Sequence, residues 1–246
     1  MSSDPRPPRP IVLVHGAWHG AWCWAPLQAA LDARGLVSYA VDLPGHGTSV
    51  LPFGDLHADA DHVGVVLDRL ALGDVVLVGH SYGGAVVTDA AAGRTDLAHL
   101  VYLTAFALLA GESVMDPLRA VAPETTALQS CMQRNDEGTL SIDPLGATDA
   151  FYGECPPLAA QAAIARLGPQ PVSTFTQPVR HANTTVPSTY VFCSRDEAIH
   201  PNHQAVLAQR CGARVDLDTD HSPMISATGE LAEILATLAV PAAVAS

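Results

Sequence analysis

The sequence predicts an α/β fold, in which a mainly parallel central sheet carries helices on both faces and an inserted helical cap. The first observation is a regular alternation of short apolar runs with helix-like segments towards both ends of the chain. The second is a break in that alternation over residues 107–186, where proline and glycine are frequent. We expect a single domain over 1–246, with its core at about 10–106 and 187–240 and a disordered leader at 1–9.

The individual elements follow from hydrophobic periodicity and from turn residues. Strands are predicted at 11–15, 37–43, 75–79, 97–103, 189–193 and 214–217. Core helices are predicted at 22–33, 55–70, 82–92, 202–209 and 228–238, and short cap helices at 117–121 and 156–167.

The most informative stretch is the Val-rich run 75–79, which continues directly into Gly79-His80-Ser81-Tyr82-Gly83 and then into an Ala-rich helical segment. A strand, a Gly-x-Ser-x-Gly turn and a helix in this order form the nucleophile elbow of serine hydrolases. The sharp turn lifts the serine hydroxyl above the sheet, and the glycines allow close packing. Ser81 is therefore the predicted nucleophile.

A serine nucleophile needs a histidine base, and the base needs an orienting acid. Both are expected after late strands, in the order serine, acid, histidine. Asp196 follows the predicted strand 189–193 by a short turn, and its neighbour Glu197 is the alternative acid. His221 follows the last predicted strand and is the predicted base.

The remaining histidines are weaker candidates for the base. His200 and His203 begin a helix after Asp196 and are predicted to lie on the surface, and His181 falls in the cap. No acid or serine partner is suggested by position for four others, which are His46, His57, His62 and His99.

The oxyanion hole is predicted from two backbone N–H groups. One is that of Tyr82, directly after the nucleophile. The other is that of Ala17, in the loop His15-Gly16-Ala17-Trp18 after the first strand.

Together these motifs resemble the α/β-hydrolase superfamily, and within it the group of plant methyl-ester esterases, hydroxynitrile lyases and related bacterial esterases. The matching segments are 15–22, Asp42-Leu43-Pro44-Gly45-His46-Gly47, the elbow at 79–83 and Asp220-His221. The resemblance covers both halves of the core and is weak through the cap. It implies the triad Ser81, Asp196 and His221, with oxyanion donors at Ala17 and Tyr82.

The same resemblance separates esterases from lyases. Hydroxynitrile lyases of this group carry threonine after the histidine of the first loop, and lysine after the catalytic histidine. Gly16 and Ser222 occupy these positions here, and the sequence contains no lysine. Since that lysine meets the charge of departing cyanide, the sequence favours an esterase.

Composition excludes several classes of function. The net charge of −13 argues against binding to nucleic acid or to an anionic membrane. No apolar stretch approaches the ~20 residues of a membrane span, and the first ten residues lack a signal-peptide pattern. Five scattered cysteines indicate reduced thiols and a cytoplasmic protein. No metal-ligand cluster or cofactor fingerprint is present, so no cofactor and no metal are expected.

The expected activity is a cofactor-independent serine hydrolase acting on a small hydrophobic carboxylic ester or lactone. Trp18, Met132, Phe151 and Tyr152 are predicted to line an apolar substrate pocket. Two alternatives remain open. One is a hydroxynitrile lyase or carbon–carbon hydrolase with the same triad, and the other is a ligand receptor with a silent triad.

Overall fold

The computed structural model describes residues 7–122, 124–182 and 185–240. Of the expected leader, residues 1–6 lie outside the described residues, whereas the Arg9 amide donates to the Ala239 carbonyl at 2.8 Å. Nine strands occur in the described residues: β1 (Ile11–Val14), β2 (Ser38–Val41), β3 (Val75–His80), β4 (Leu97–Leu103), β5 (Met132–Arg134), β6 (Thr139–Ile142), β7 (Gln170–Pro171), β8 (Ser188–Cys193) and β9 (Ala213–Leu217).

Eleven α-helices occur in the same described ranges. They are α1 (Ala25–Asp32), α2 (Leu56–Leu70), α3 (Gly83–Ala90), α4 (Met115–Ala120), α5 (Ala127–Cys131), α6 (Pro144–Phe151), α7 (Pro157–Ile164), α8 (Ser173–Thr176), α9 (Pro201–Ala208), α10 (Pro223–Ser226) and α11 (Thr228–Ala239). Every predicted core strand and helix is found, and all ends agree within two residues except the start of α1, which lies three residues later than predicted because a 3₁₀ turn forms at Ala21–Trp24.

Six parallel strands form the central sheet in the order β2-β1-β3-β4-β8-β9. The predicted fold class is therefore confirmed. β3 lies near the middle of the sheet and is fully buried along its length. All six strands end at the same edge of the sheet, which is where polar groups following β1, β3, β8 and β9 can meet.

Helices cover both faces of the sheet because alternate side chains of each strand point to opposite sides. On one face Ile11 and Leu13 pack with Leu27 of α1 and Leu231 of α11. The opposite face packs α2 and α3 against the sheet, as shown by Val12, Val14, Val63, Leu67 and Val86.

Residues 107–186, the segment predicted to form a helical cap and called the cap below, are not purely helical. They contain α4–α8 and also a three-stranded antiparallel sheet in the order β5-β6-β7. The prediction of a helical cap missed this sheet because its strands have only 3, 4 and 2 residues. Runs this short carry too few residues for alternation to be recognised.

All five cysteines are free thiols, and four of them are buried. Burial raises the pKa of the half-buried Cys211 to about 11, and raises the pKa of the fully buried Cys193 well above its usual value. These thiols are therefore protonated and unreactive at neutral pH. Separately, within the described ranges no helix combines the length and hydropathy needed to cross a bilayer.

Candidate active site

Ser81 lies in the tight turn between β3 and α3. Its φ of +53° is in the left-handed region, which non-glycine residues rarely occupy. The turn is held by its amide, which donates to the Leu103 carbonyl at 3.2 Å, and by its carbonyl, which accepts from the Phe106 amide at 3.1 Å. A Cβ on Gly83 would lie 2.6 Å from the His15 carbonyl oxygen, so this position requires glycine.

Asp196 and His221 are buried side by side at the sheet edge, each 1% exposed. His221 Nδ1–H donates to Asp196 Oδ2 at 2.7 Å, and the Thr104 hydroxyl donates to the same oxygen. The other oxygen, Oδ1, accepts from the amides of Ala198 and Ile199 at 2.7 and 2.8 Å. Four donors therefore surround this carboxylate and fix its position, so that it can orient the imidazole.

The alternative acid, Glu197, is exposed and makes no hydrogen bond to His221 in the described structure. Two residues that sequence reasoning did not select contact the predicted acid and the predicted base. Thr104 follows β4 and holds the acid, as described above. His80 is fully buried, and its Nε2–H donates to the His221 carbonyl at 2.8 Å. Burial lowers the pKa of His80 well below its usual value, so this ring is neutral.

The amides of the two predicted oxyanion donors, Ala17 and Tyr82, have no hydrogen-bond acceptor among the described residues. Ala17 and Ser81 line the same cavity. A Cβ on Gly16 would lie only 2.8 Å from Ser81 Cβ, which shows how closely this loop passes the serine.

The loop 15–18 carries the predicted oxyanion donor Ala17 and is called the oxyanion loop below. Contacts with the cap hold this loop in place. Trp18 adopts a φ of +63°, its amide donates to Gln170 Oε1 at 3.1 Å, and its indole Nε1–H donates to the Leu140 carbonyl at 3.0 Å. The Trp18 carbonyl in turn accepts from the Gly168 amide at 2.9 Å. Gln170 is fully buried, and its Oε1 also lies 2.8 Å from His46 Nε2. Sequence reasoning missed Gln170 because only the tertiary fold brings it to Trp18.

A largely apolar cavity of about 400 Å³ opens above Ser81. Its walls come from the oxyanion loop, the cap and the start of α9. The lining residues include two of the four predicted pocket residues, Trp18 and Met132, and also Phe106, Val114, Met115, Leu118, Arg119, Thr126, Leu128, Leu140, Phe175, Ile199 and His203.

Phe151 and Tyr152, the other two predicted pocket residues, do not line this cavity. Both are 1% exposed and lie between the cap and the core. The Phe151 ring packs against His221 with a centroid separation of 5.7 Å. The Tyr152 hydroxyl donates to His19 Nε2 at 2.8 Å. Contacts with other residues of the protein therefore fix both side chains.

Asp220 connects the loop that carries His221 to the cap. Its Oδ2 accepts from the Glu154 amide at 2.8 Å, and its Oδ1 accepts from the Ser222 amide at 3.0 Å and from the Ser226 hydroxyl at 2.7 Å. The carboxylate is buried, at 4% exposed. The residue before His221 is thus fixed on both sides.

A second buried carboxyl lies behind the elbow. The Tyr82 hydroxyl donates to Asp59 Oδ2 at 2.7 Å, while Asp59 Oδ1 has no partner among the described residues. Burial raises the pKa of Asp59 to about 7. This pair connects α2 to the residue that follows the nucleophile.

The surface prediction was wrong for His203. This residue is 4% exposed and lines the cavity, whereas His200 is half-buried and His181 is exposed. Over residues 7–122, 124–182 and 185–240, no group of three or more His, Cys, Asp or Glu side chains is arranged to hold a metal.

Comparison with known proteins identifies the family. Residues 11–234 match the model of the alpha/beta hydrolase family. This chain belongs to the alpha/beta hydrolase family. An alpha/beta hydrolase of Aspergillus novofumigatus, nvfD, is 31% identical over 232 residues, which cover 88% of this chain and 90% of that protein.

Two further relatives are named for ester-cleaving enzymes. The pFDCC methylesterase of Arabidopsis thaliana is 29% identical over 234 residues, covering 88% of each chain. A pyrethroid hydrolase from Sphingobium faniae superposes with a TM-score of 0.83 at 27% identity, covering 94% of this chain and 97% of that one. These relatives confirm both the resemblance stated above and the expected enzyme class, a carboxylic ester hydrolase.

Proposed function

We propose that this protein is a cofactor-independent serine hydrolase that cleaves a hydrophobic carboxylic ester or lactone through an acyl-enzyme intermediate. The observation that carries the proposal is the 2.7 Å hydrogen bond between His221 and Asp196 at the sheet edge that also carries Ser81. The apolar cavity above Ser81 supports a hydrophobic substrate. The esterase names among the relatives support ester cleavage.

In the first half of the proposed reaction, His221 Nε2 takes the proton of the Ser81 hydroxyl as the oxygen attacks the ester carbonyl carbon. The alcohol leaves with that proton, and the acyl group remains on Ser81. In the second half, a water molecule loses a proton to His221 as its oxygen attacks the acyl carbonyl carbon. The bond from that carbon to Ser81 Oγ then breaks, His221 returns the proton to Ser81 Oγ, and the acid is released.

Negative charge develops on the carbonyl oxygen in both halves. The unpaired amides of Ala17 and Tyr82 are the proposed donors to it. Fixed donors of this kind lower the barrier because they need no reorganisation during reaction, and losing one typically costs about 10²–10³ in rate.

The Ser81 hydroxyl makes no hydrogen bond to His221 or to any other residue that the structure describes. This agrees with the behaviour of many ligand-free active sites, in which such contacts tighten only when the substrate binds. The proposed mechanism therefore requires a small movement of the Ser81 side chain on binding.

The lyase alternative is disfavoured by the space around Gly16. A side chain there would place its Cβ 2.8 Å from Ser81 Cβ and 3.0 Å from His80 Nδ1, so threonine would displace the nucleophile. Arg180, the cap arginine nearest in sequence to β8, pairs with Asp61 and Asp89 instead of facing the site.

The proposed location is the cytoplasm. All five cysteines are free, four of them buried, and no two of them are bridged. Secreted proteins generally use cysteines in disulfides, whereas reduced thiols are typical of cytoplasmic proteins.

The test combines active-site labelling with turnover. A fluorophosphonate is expected to label Ser81 alone, and the purified protein is expected to release para-nitrophenol from short-chain esters in a burst followed by steady turnover. Ser81→Ala should abolish both signals, while Ser130→Ala, an exposed serine of α5, should leave both unchanged. Labelling without turnover of any ester or lactone would instead favour a receptor.

A further inference from the structure

The cavity above Ser81 includes a polar side chain that the proposed mechanism does not use. His203 is on α9, is 4% exposed and lines the cavity. Leu118, Leu128 and Ile199 line the same cavity. An imidazole therefore lies among apolar groups in the space where the substrate is proposed to bind.

His203 makes no hydrogen bond of normal geometry within the described residues. Both of its ring nitrogens are buried. The Leu118 carbonyl acts to raise the pKa of the ring, against the larger effect of burial, but it does not make a hydrogen bond of normal geometry to either ring nitrogen. Most buried polar atoms in folded proteins are paired, because an unpaired one has lost its water hydrogen bonds without compensation.

The histidine three residues earlier provides a contrast. His200 accepts a hydrogen bond from the Asn202 amide through Nδ1 at 3.2 Å, and its Nε2 lies 4.0 Å from a Glu124 carboxylate oxygen. His200 thus caps the N-terminus of α9 and faces Glu124. These contacts give His200 a structural role, whereas no contact gives His203 one.

The environment of His203 also limits the ligand chemistry. Burial lowers the pKa of His203, which keeps the ring neutral at neutral pH. A neutral imidazole offers one N–H donor and one acceptor nitrogen. It therefore suits a neutral group such as a hydroxyl or an amide, and offers no charge to a carboxylate.

We propose that His203 binds a hydroxyl or amide group on the part of the ester that fills the cavity. This inference rests on the proposed function and narrows the substrate from hydrophobic esters in general to those that carry such a group. An apolar pocket alone discriminates weakly between a hydroxyl and a methyl group. A site with a buried hydrogen-bonding group strongly rejects the analogue that lacks the hydroxyl, because the protein group is then left unpaired.

The experiment compares matched hydroxyl and methyl esters. One series consists of para-nitrophenyl phenylacetates substituted at the ortho, meta or para position, and the other of benzyl acetates with the same substituents on the alcohol side. For each pair, the ratio of kcat/KM for the hydroxyl and the methyl ester is measured. The variants are His203→Phe, His203→Leu and His203→Gln, with His200→Phe as the matched control.

The wild-type protein is expected to prefer the hydroxyl ester in at least one pair, and His203→Phe to reduce that ratio by about tenfold or more. His203→Gln, which keeps a donor and an acceptor, should retain part of the preference, and His200→Phe should retain all of it. Ratios that are identical in the wild type and in His203→Phe and His203→Leu would overturn the inference. Fluorophosphonate labelling of Ser81 in every variant separates that result from failure of the proposed function, in which Ser81 would not react and no ester would be cleaved.

Discussion

Replacing Gln170 by leucine is expected to impair the oxyanion loop while leaving the Asp196–His221 pair intact. The side chain accepts a hydrogen bond from the Trp18 amide at 3.1 Å, next to the proposed donor Ala17. Leucine has a similar size but no acceptor, so the Trp18 amide would be left buried and unpaired. Because Trp18 already has a φ of +63°, loss of this bond should allow the loop to relax.

The size of the effect follows from these contacts. An unpaired buried amide costs about 1–3 kcal/mol, so the free energy of unfolding should fall by that order. For turnover, a displacement of a positioned group by about 1 Å can cost about 10² in rate. We therefore expect kcat of Gln170→Leu to fall by about tenfold to hundredfold with little change in KM.

A second glutamine of the cap provides the matched control. Gln177 donates to Asp55 Oδ2 at 3.1 Å, and its Oε1 accepts from the His57 amide at 3.3 Å, so it also joins cap to core, but at the N-terminal end of α2 and not at Trp18. Gln177→Leu should lower stability without lowering kcat. Gln170→Glu offers a carboxylate oxygen as acceptor to the Trp18 amide, and should therefore keep part of the activity that Gln170→Leu loses.

The assay measures kcat and KM on a chromogenic ester, and the free energy of unfolding by urea titration, for all three variants. If Gln170→Leu keeps kcat within twofold of the wild type while losing stability, Gln170 has only a structural role. If Gln177→Leu loses as much kcat as Gln170→Leu, the effect comes from general loosening of the cap.

Three further predictions concern the acid, the buried carboxyl and the cavity. Asp196→Asn should reduce kcat by several orders of magnitude, and Glu197→Gln should not; the opposite result would exchange their roles. The pKa of Asp59 is about 7 in the fold and near 3.8 in the unfolded chain, so its contribution to stability is full below pH 3.8 and is lost as pH rises towards 7. The free energy of unfolding of Asp59→Asn, measured by urea titration, should therefore rise relative to that of the wild type by at least about 1 kcal/mol between pH 4 and pH 8. A difference between the two proteins that does not change with pH would contradict this. Met132→Ala should change the order in which a panel of esters ranks by kcat/KM, whereas replacing the exposed Leu158 by alanine should not. An unchanged order in both variants would mean that the part of the cavity around Met132 does not set specificity.

The core could be predicted from the sequence because its signals are local. The strand 75–79, the glycines and Ser81 lie within a few residues of one another, and strand ends in a parallel sheet share one edge. The same argument selected Asp196 and His221, and in the structure Asp196 Oδ2 lies 2.7 Å from His221 Nδ1.

The contacts that fix the site could not be predicted in this way, since they join distant parts of the chain. Thr104 and Gln170 contact Asp196 and Trp18 across 92 and 152 residues. Phe151 was expected in the pocket because it is aromatic and in the cap, but residue type does not show which way α6 faces. Likewise, polarity suggested a surface position for His203, although tertiary packing buries it.

The bonds of Asp220 have a consequence for engineering by cap exchange. The shorter of two contacts between this carboxylate and the cap is made to the backbone amide of Glu154, so it places little demand on the side chain at that position; the other is made by the Cys155 thiol at 3.6 Å. A cap transplanted from another protein could therefore differ widely in sequence and still seat correctly, provided that its chain presents an amide at this point. A graft with proline there would lose that donor, and would be expected to disturb the loop carrying the base even if every residue around the substrate were retained.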